Sequence, residues 1–403
     1  MTIRLNSVIA CSFVLAALLP VNSADGKFSI VAQHKLFPAG SGPWSFDCHA
    51  ATIAQAADGT VVAAWNGGAF ETHSGRAVWL SRFENGCWTP PVKVGDGEET
   101  GPGYMTENPV LFQPAGGPLM LFYTVGPGLR DRKLDPSGRN AWGVLKTSAD
   151  HGRTWSAARP LGRDKRLPGG RLIGPTKNPP IQLEDGSILV PSSNEYGLRE
   201  TRDWDRLTWH FEQSRDMGAT WSLVAIFPSN PDLRPIQPGL LRLGAGRLLA
   251  LGRNEGQGPD TPMATSTNGG ATWSAISGLT ALPQTHSGIA VGTLRNGIHF
   301  CILNPAKAWR RQLDLMVSSD GTNWTHGLTL DPDGGDLAHY PQAVQTPDGR
   351  LHVVFTSGPE QPSAAGKVIR HLIVAFAAVG VGVPTPPNAE VLFDGRPGTL
   401  HEK

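Results

Sequence analysis

The sequence predicts an all-β fold, a six-bladed β-propeller of four-stranded antiparallel blades. Three observations predict it. One hairpin pattern recurs six times, a turn-forming motif follows most of the copies, and the composition is that of short strands joined by tight turns. Of 403 residues, 49 are glycine and 34 proline, and only 17% are charged. Helices tolerate so much Gly, Pro, Val and Thr poorly, whereas β-hairpins use all four.

Each copy of the hairpin is a polar residue, an apolar strand, a turn centred on glycine and a second apolar strand. The copies are HAATIAQAADGTVVAAWN from His49, NPVLFQPAGGPLMLFYT from Asn108 and KNPPIQLEDGSILVPSSN from Lys177. They continue as QPGLLRLGAGRLLALGRN from Gln237, SGIAVGTLRNGIHFCILN from Ser287 and YPQAVQTPDGRLHVVFTS from Tyr340. The turn glycines are Gly59, Gly117, Gly186, Gly246, Gly297 and Gly349. Asp-Gly or a near equivalent between two β-rich runs is a strong hairpin signal. Self-similarity at a roughly constant period points to a repeat architecture.

The second motif closes a third strand onto a fourth. SADHGRTW ends at Trp155, SRDMGATW at Trp221, STNGGATW at Trp273 and the shorter SSDGTNW at Trp324. SRFENGCW, ending at Trp88, reads as a decayed copy. In such a turn the Ser and Asp side chains bond turn backbone and the Trp packs between strands. Each repeat is then one blade, and six blades close a ring. Phe28 to Phe37 reads as an extra strand that completes the last blade beside Lys367 to Phe376.

The ends and the charge bound the setting. Arg4, the mostly apolar run Val8 to Leu19 and the small-residue site Val21-Asn22-Ser23 read as a signal peptide over 1–23, with one domain over 24–403. The expected location is periplasmic or extracellular. The apolar run is too short for a membrane span. A formal net charge of +1 gives no reason to expect a nucleic-acid or anionic-membrane partner. Of four cysteines, the mature chain keeps Cys48, Cys87 and Cys301, an odd number with no CxxC spacing, so neither a disulfide framework nor a zinc site is expected. Asp331-Pro-Asp-Gly-Gly-Asp336 reads as a solvated acidic loop. No metal and no cofactor are expected, and the oligomeric state stays open.

Propeller geometry then locates the chemistry. The start of each innermost strand and the end of the next lie on one face. His49, Asn108, Lys177, Gln237, Ser287 (or His286) and Tyr340 form one polar ring around the axis. Asn66, Thr124, Ser193, Arg253, Asn304 and Thr356 form a second. Converging polar groups at the mouth of a propeller mark the candidate site. His49, Lys177, Arg253 and Tyr340 carry most weight, because ionisable groups aimed at one axis are costly to desolvate without partners.

The repeats, the Ser-x-Asp-x-Gly-x-Thr-Trp turns and the register of the polar residues resemble the sialidase (neuraminidase) superfamily over nearly the whole mature chain. That resemblance implies a glycoside hydrolase with a tyrosine nucleophile, arginines binding the sugar carboxylate, a glutamate and an acid/base aspartate. Tyr340 falls at the nucleophile, Arg253 at the second arginine and Arg310 at the third, with Arg311 as its competitor. Three positions depart. His49 stands where an arginine would open Arg-Ile-Pro, Gln237 stands for the glutamate, and no aspartate lies in the acid/base segment, where Glu71 and His73 are nearest. The His-Ala-Ala opening and the GPTKNPP stretch are similar to bacterial sialidase-like proteins with a Cys-His-Ala start.

Three functions fit these residues. The first is an exo-acting sialidase-like hydrolase of a terminal acidic sugar. Tyr340 would be its nucleophile, and His49, Glu71 or His73 would carry protons. Arg253, Arg310 or Arg311, Lys177, Asn178, Gln237 and Asn304 would bind substrate. The second is a uronate-directed lyase or other glycosidase using His49 and Tyr340 in the same pocket. The third is a non-catalytic glycan-binding propeller with Trp44, Trp65 or Trp309 stacking on sugars. Each takes a glycan bearing a carboxylate as its partner.

Overall fold

The computed structural model describes residues 21–22, 27–70, 73–128, 141–195, 206–331, 336–359 and 366–376. The signal-peptide segment lies almost wholly outside them. Six antiparallel sheets follow one another along the chain, each beginning with its innermost strand. Those first strands are His49–Gln55, Tyr104–Phe112, Ile181–Gln182, Pro235–Gly244, Ala290–Thr293 and Leu337–Gln345. They open blades 1 to 6. No helix among the described residues is long and apolar enough to cross a membrane.

Closure is made by the start of the chain. Phe28–Lys35 pairs antiparallel with Val368–Phe376 and becomes the fourth strand of blade 6, as the sequence predicts. Blade 1 has a divided outer edge, in which Cys87–Trp88 and Val92–Asp96 both pair with Ala77–Glu84.

The strands read as continuous apolar runs because each blade packs on both faces. In blade 2, Leu119, Leu121 and Tyr123 face blade 1, while Met120 and Phe122 face blade 3. One apolar cluster fills each of the six seams between adjacent blades. The core is therefore a ring of seams rather than a single centre.

The Ser-Asp turns form on the face opposite the strand openings. In blade 3, Ser214 Oγ donates to Asp216 Oδ1 at 2.8 Å and accepts from Gly218 N at 2.7 Å. Thr220 N and Oγ1 donate to the same carboxylate at 2.8 and 2.6 Å. These bonds, the threonine ones first, pull the Asp216 carboxyl down to about 2. The turns of blades 2, 4 and 5 repeat the pattern, with Asn268 in place of Asp in blade 4. Each motif tryptophan enters the seam with the preceding blade: Trp155, Trp221, Trp273 and Trp324 in turn. Trp88 of the decayed copy keeps the same place, although its turn is a tight hairpin with positive φ at Asn85 and Gly86. Cys48, Cys87 and Cys301 form no disulfide.

Trp221→Ala removes a buried ring from the seam between blades 2 and 3 and should cost about 3 kcal/mol. Urea unfolding followed by circular dichroism measures this, and a loss under ~1 kcal/mol would contradict the packing role.

Candidate active site

A repeated backbone irregularity builds the site. In four blades the innermost strand slips register immediately after His49, Glu107, Ile236 and His339. The next residue, Ala50, Asn108, Gln237 or Tyr340, adopts a left-handed φ of 54°, 48°, 51° or 54°. Such a conformation costs a non-glycine residue about 1 kcal/mol or more, and bulges of this kind re-aim side chains. Each bulge residue lies nine positions before its turn glycine, and the same count reaches Lys177 in blade 3 and Gly288 in blade 5. The axial ring is thus Ala50, Asn108, Lys177, Gln237, Gly288 and Tyr340. This corrects the sequence register in two blades, where His49 and Ser287 or His286 had stood for Ala50 and Gly288. An extra residue in a bulge leaves no trace in apolar alternation, which is why the slip was invisible. Across the ladder, Asn66, Thr124, Arg253 and Thr356 pair with His49, Glu107, Ile236 and His339.

Tyr340 is the centre of the site and is only 6% exposed. Arg253 Nη1 donates to its hydroxyl, and Arg253 Nη2 pairs with the Glu255 carboxylate. Gln237 Nε2 lies 3.5 Å from the same hydroxyl and 3.5 Å from Glu195 Oε2. Ser193 fixes that carboxylate, donating to Glu195 Oε1 at 2.6 Å while accepting from Gln237 N at 3.0 Å. An ionised carboxylate only accepts, so Glu195 turns the amide nitrogen of Gln237 toward Tyr340. Three cationic groups stand around the phenol ring: Arg253 at 5.7 Å, Arg310 at 5.8 Å and Lys177 Nζ at 6.0 Å from its centroid. The His49 ring lies 4.1 Å from the Tyr340 ring.

The floor is a tie across the axis. Lys177 of blade 3 donates to the Pro341 carbonyl of blade 6, on the far side of the ring. Gln342 Nε2 returns the contact, 3.4 Å from both Lys177 O and Asn178 Oδ1. Gly288 makes room for this lysine, since a Cβ there would meet Lys177 Cε at 2.6 Å.

Charge in the site is unevenly balanced. Arg76 and Lys367 join Arg253, Arg310 and Lys177, with Glu107 3.8 Å from Arg76 and Asp47 2.5 Å from Lys367. Burial above all, then Arg76, Lys367, Arg310 and Arg253, hold the His49 imidazole well below its ordinary range. His339 is held down likewise by burial, then by His49 and the same arginines and lysine except Arg76. Both imidazoles are therefore neutral at pH 7. Burial also pulls the Lys177 amine down to about 7, helped by Arg253 and opposed by Cys301. The two ring nitrogens of His339, Arg253 Nε and Gln237 Oε1 are buried without a hydrogen-bond partner among the described residues.

The sequence candidates thus divide. Tyr340, His49, Arg253, Arg310, Lys177 and Gln237 converge. Arg310 lies at the phenol and donates to His286 O at 2.7 Å, whereas Arg311 is exposed. Asn304 and Asn178 hold backbone: Asn304 Nδ2 donates to Gln312 O and Ala338 O at 2.7 Å each, and Asn178 Nδ2 to Gln237 O at 3.2 Å. His73 bonds within its own loop, accepting from Gly75 N at 3.0 Å, with Phe70 against its ring. Glu71 and residues 332–335 of the acidic loop lie outside the described residues. Trp65 is core and donates to Trp44 O at 2.9 Å, while Trp309 is 47% exposed beside Arg310. Among the described residues no three His, Cys, Asp or Glu side chains gather as a metal site. Sequence reasoning missed Glu195, Glu255, Arg76 and His339. The two glutamates had a signal, the Asn-Glu pairs that follow Ser193 and Arg253 at matching strand ends.

A six-bladed propeller with a tyrosine and arginines buried at its axial face defines a sialidase-like protein. The chain belongs to the BNR repeat-like domain family, whose model matches residues 59–353. Among solved structures it is similar to a protein of unknown function from Dyadobacter fermentans, with 16% identity, TM-score 0.67, and coverage of 87% of this chain and 100% of that one. A Hadza microbial sialidase is 16% identical with a TM-score of 0.69, covering 85% of this chain and 68% of that one. The leech intramolecular trans-sialidase complexed with 2,7-anhydro-Neu5Ac is 13% identical with a TM-score of 0.65, covering 85% and 70%. At these identities the likeness is one of fold. No curated protein matches the chain in sequence.

Gly288→Ala should displace the Lys177 stem and cost about 1–3 kcal/mol. Chemical denaturation tests this, and an unchanged midpoint would mean that the stem moves aside freely.

Proposed function

We propose that this chain is an exported exo-glycosidase that removes a terminal acidic sugar from glycans, with sialic acid the first candidate. The observation that carries the reading is Tyr340, whose hydroxyl accepts from Arg253 and whose ring stands between Arg310 and Lys177. Forked guanidinium donors suit a carboxylate, and a phenol approaches an anomeric centre beside that carboxylate with less repulsion than a second carboxylate would meet. Arg253 and Arg310 hold the substrate carboxylate, and Trp309 offers a face to the sugar. Tyr340 Oη attacks the anomeric carbon as the bond to the glycosidic oxygen breaks. Arg253 and Gln237 both donate to Oη, so its own proton leaves toward the neutral His49. The leaving oxygen takes a proton from the loop that carries Glu71 and His73, and water then displaces Tyr340. Export rests on the signal-peptide features of residues 1–23.

A lyase acting on a uronate-containing glycan is the second reading. It is favoured by the neutral imidazole of His49 lying against Tyr340, a base and an acid within reach of one carbon beside a bound carboxylate.

Purified mature protein should release fluorophore from a 4-methylumbelliferyl sialoside, and Tyr340→Phe should lose at least ~10³-fold in kcat. An unimpaired variant would remove Tyr340 as nucleophile. No release, with ultraviolet-absorbing unsaturated products from a uronate polymer, would select the lyase.

The Lys177 amine carries its charge below pH ~7 and loses it above. The affinity for an acidic sugar should therefore weaken as pH rises through about 7, and Lys177→Met should flatten that dependence. Titration calorimetry with N-acetylneuraminic acid between pH 6 and 8 measures it, and a wild-type affinity constant over that range would exclude a role for this charge.

A further inference from the structure

Three histidines stack at the seam where the ring closes. His34 lies on the N-terminal strand, His371 on Val368–Phe376 and His352 on Leu351–Gly358. The His34 and His371 rings stack at 5.3 Å and 22°, and the His371 and His352 rings at 5.1 Å and 18°. Blade 1 covers them with Phe83, 5.2 Å from His371 edge to face, and Trp88, 5.1 Å from it. The surroundings belong to the apolar cluster that joins blade 6 to blade 1.

The hydrogen bonds fix the tautomers. Trp88 Nε1 can only donate, and it lies 3.2 Å from His371 Nδ1. His371 therefore keeps its proton on Nε2 and donates it to His352 Nδ1 at 3.0 Å. The chain runs in one direction, Trp88 to His371 to His352. A proton added at His371 Nδ1 would face the indole N–H, and one added at His352 Nδ1 would face the N–H of His371. Each protonation breaks a bond and sets donor against donor.

We infer that this stack is an acid-sensitive latch, and that its protonation releases the N-terminal strand and opens the seam between blades 6 and 1. The groups around it agree. His371 is held well below its ordinary range by burial, then by His352 and His34. His352 is pulled down to about 4 by burial first, with Arg350 and His34 lowering it and Asp348 opposing them. His34 is lowered by burial. Asp348 and Arg350 sit in the turn of blade 6, and blade 1 presents the uncharged Phe83 and Trp88. The unfolded chain takes these protons near pH 6.5 and the folded chain only at lower pH, so stability falls from about pH 6.5 downward. The same seam brings His49 of blade 1 to 5.1 Å from His339 of blade 6, so its opening also dismantles the site.

Hydrogen exchange of the mature protein, corrected for intrinsic rates, tests the latch independently of any catalytic activity. For His352 alone, linkage raises the opening equilibrium about twentyfold between pH 7 and pH 5. The amides of Phe28–Lys35 should lose that protection while Ile188–Asn194 of blade 3 loses far less. His352→Gln, whose amide oxygen can accept the His371 Nε2 proton and does not titrate, should remove that twentyfold share of the difference. Should that variant not fold, His34→Phe on the outer strand should reduce it. Equal loss in both strands, no loss at all, or wild-type behaviour in the variant that folds would overturn the proposal.

Discussion

The pairing of Phe28–Lys35 with Val368–Phe376 is the constraint on which the rest of this molecule depends. A propeller has no central core. Its apolar surface is spread over six seams, and each seam is complete only when its two blades are held in place by the others. Without closure, blades 1 and 6 would expose one flank each, including Trp65, Val354 and Ile369, and the contacts between His49, His339 and Tyr340 would have no frame. Blade 1 supplies His49 and blade 6 supplies Tyr340, so the strand that joins the chain ends also assembles the candidate site.

Within that frame the site is electrostatically tense by design. Cations from three blades, Lys177, Arg253 and Arg310, surround one phenol, and nearby carboxylates offset them only in part. Burying charge in this way is costly unless partners or a ligand compensate it. The two histidines meet the strain by staying neutral, and Lys177 by easing its amine toward neutrality. The left-handed backbone at Gln237 and Tyr340 adds a local cost of the kind found where geometry serves a ligand rather than stability.

The fold was legible in the sequence because each blade writes the same short-range signals: a Gly turn, two apolar strands and a Ser-Asp-Gly-Trp turn. Even the closing strand could be read. The site was legible where the chemistry sits on strand ends, as with Tyr340, Arg253 and Lys177. It was less so where a bulge shifts register, since Ala50 rather than His49 occupies the ring position. His339 escaped because it takes the position before the bulge, which in blade 4 is the core residue Ile236, and Arg76 because it precedes a third strand, outside the repeated hairpin. Glu195 was hidden differently. The repeated Asn-Glu pair marks the carboxylate, but its contact with Gln237 spans 42 residues, and the pair does not say that a carboxylate from blade 3 stands behind an amide of blade 4.

The tie between Lys177 and Pro341 has a mechanical consequence. Blades 3 and 6 share no seam, yet this contact and its return through Gln342 fasten them to each other across the axis. A tilt of either blade is therefore passed to the opposite side of the ring without travelling round it.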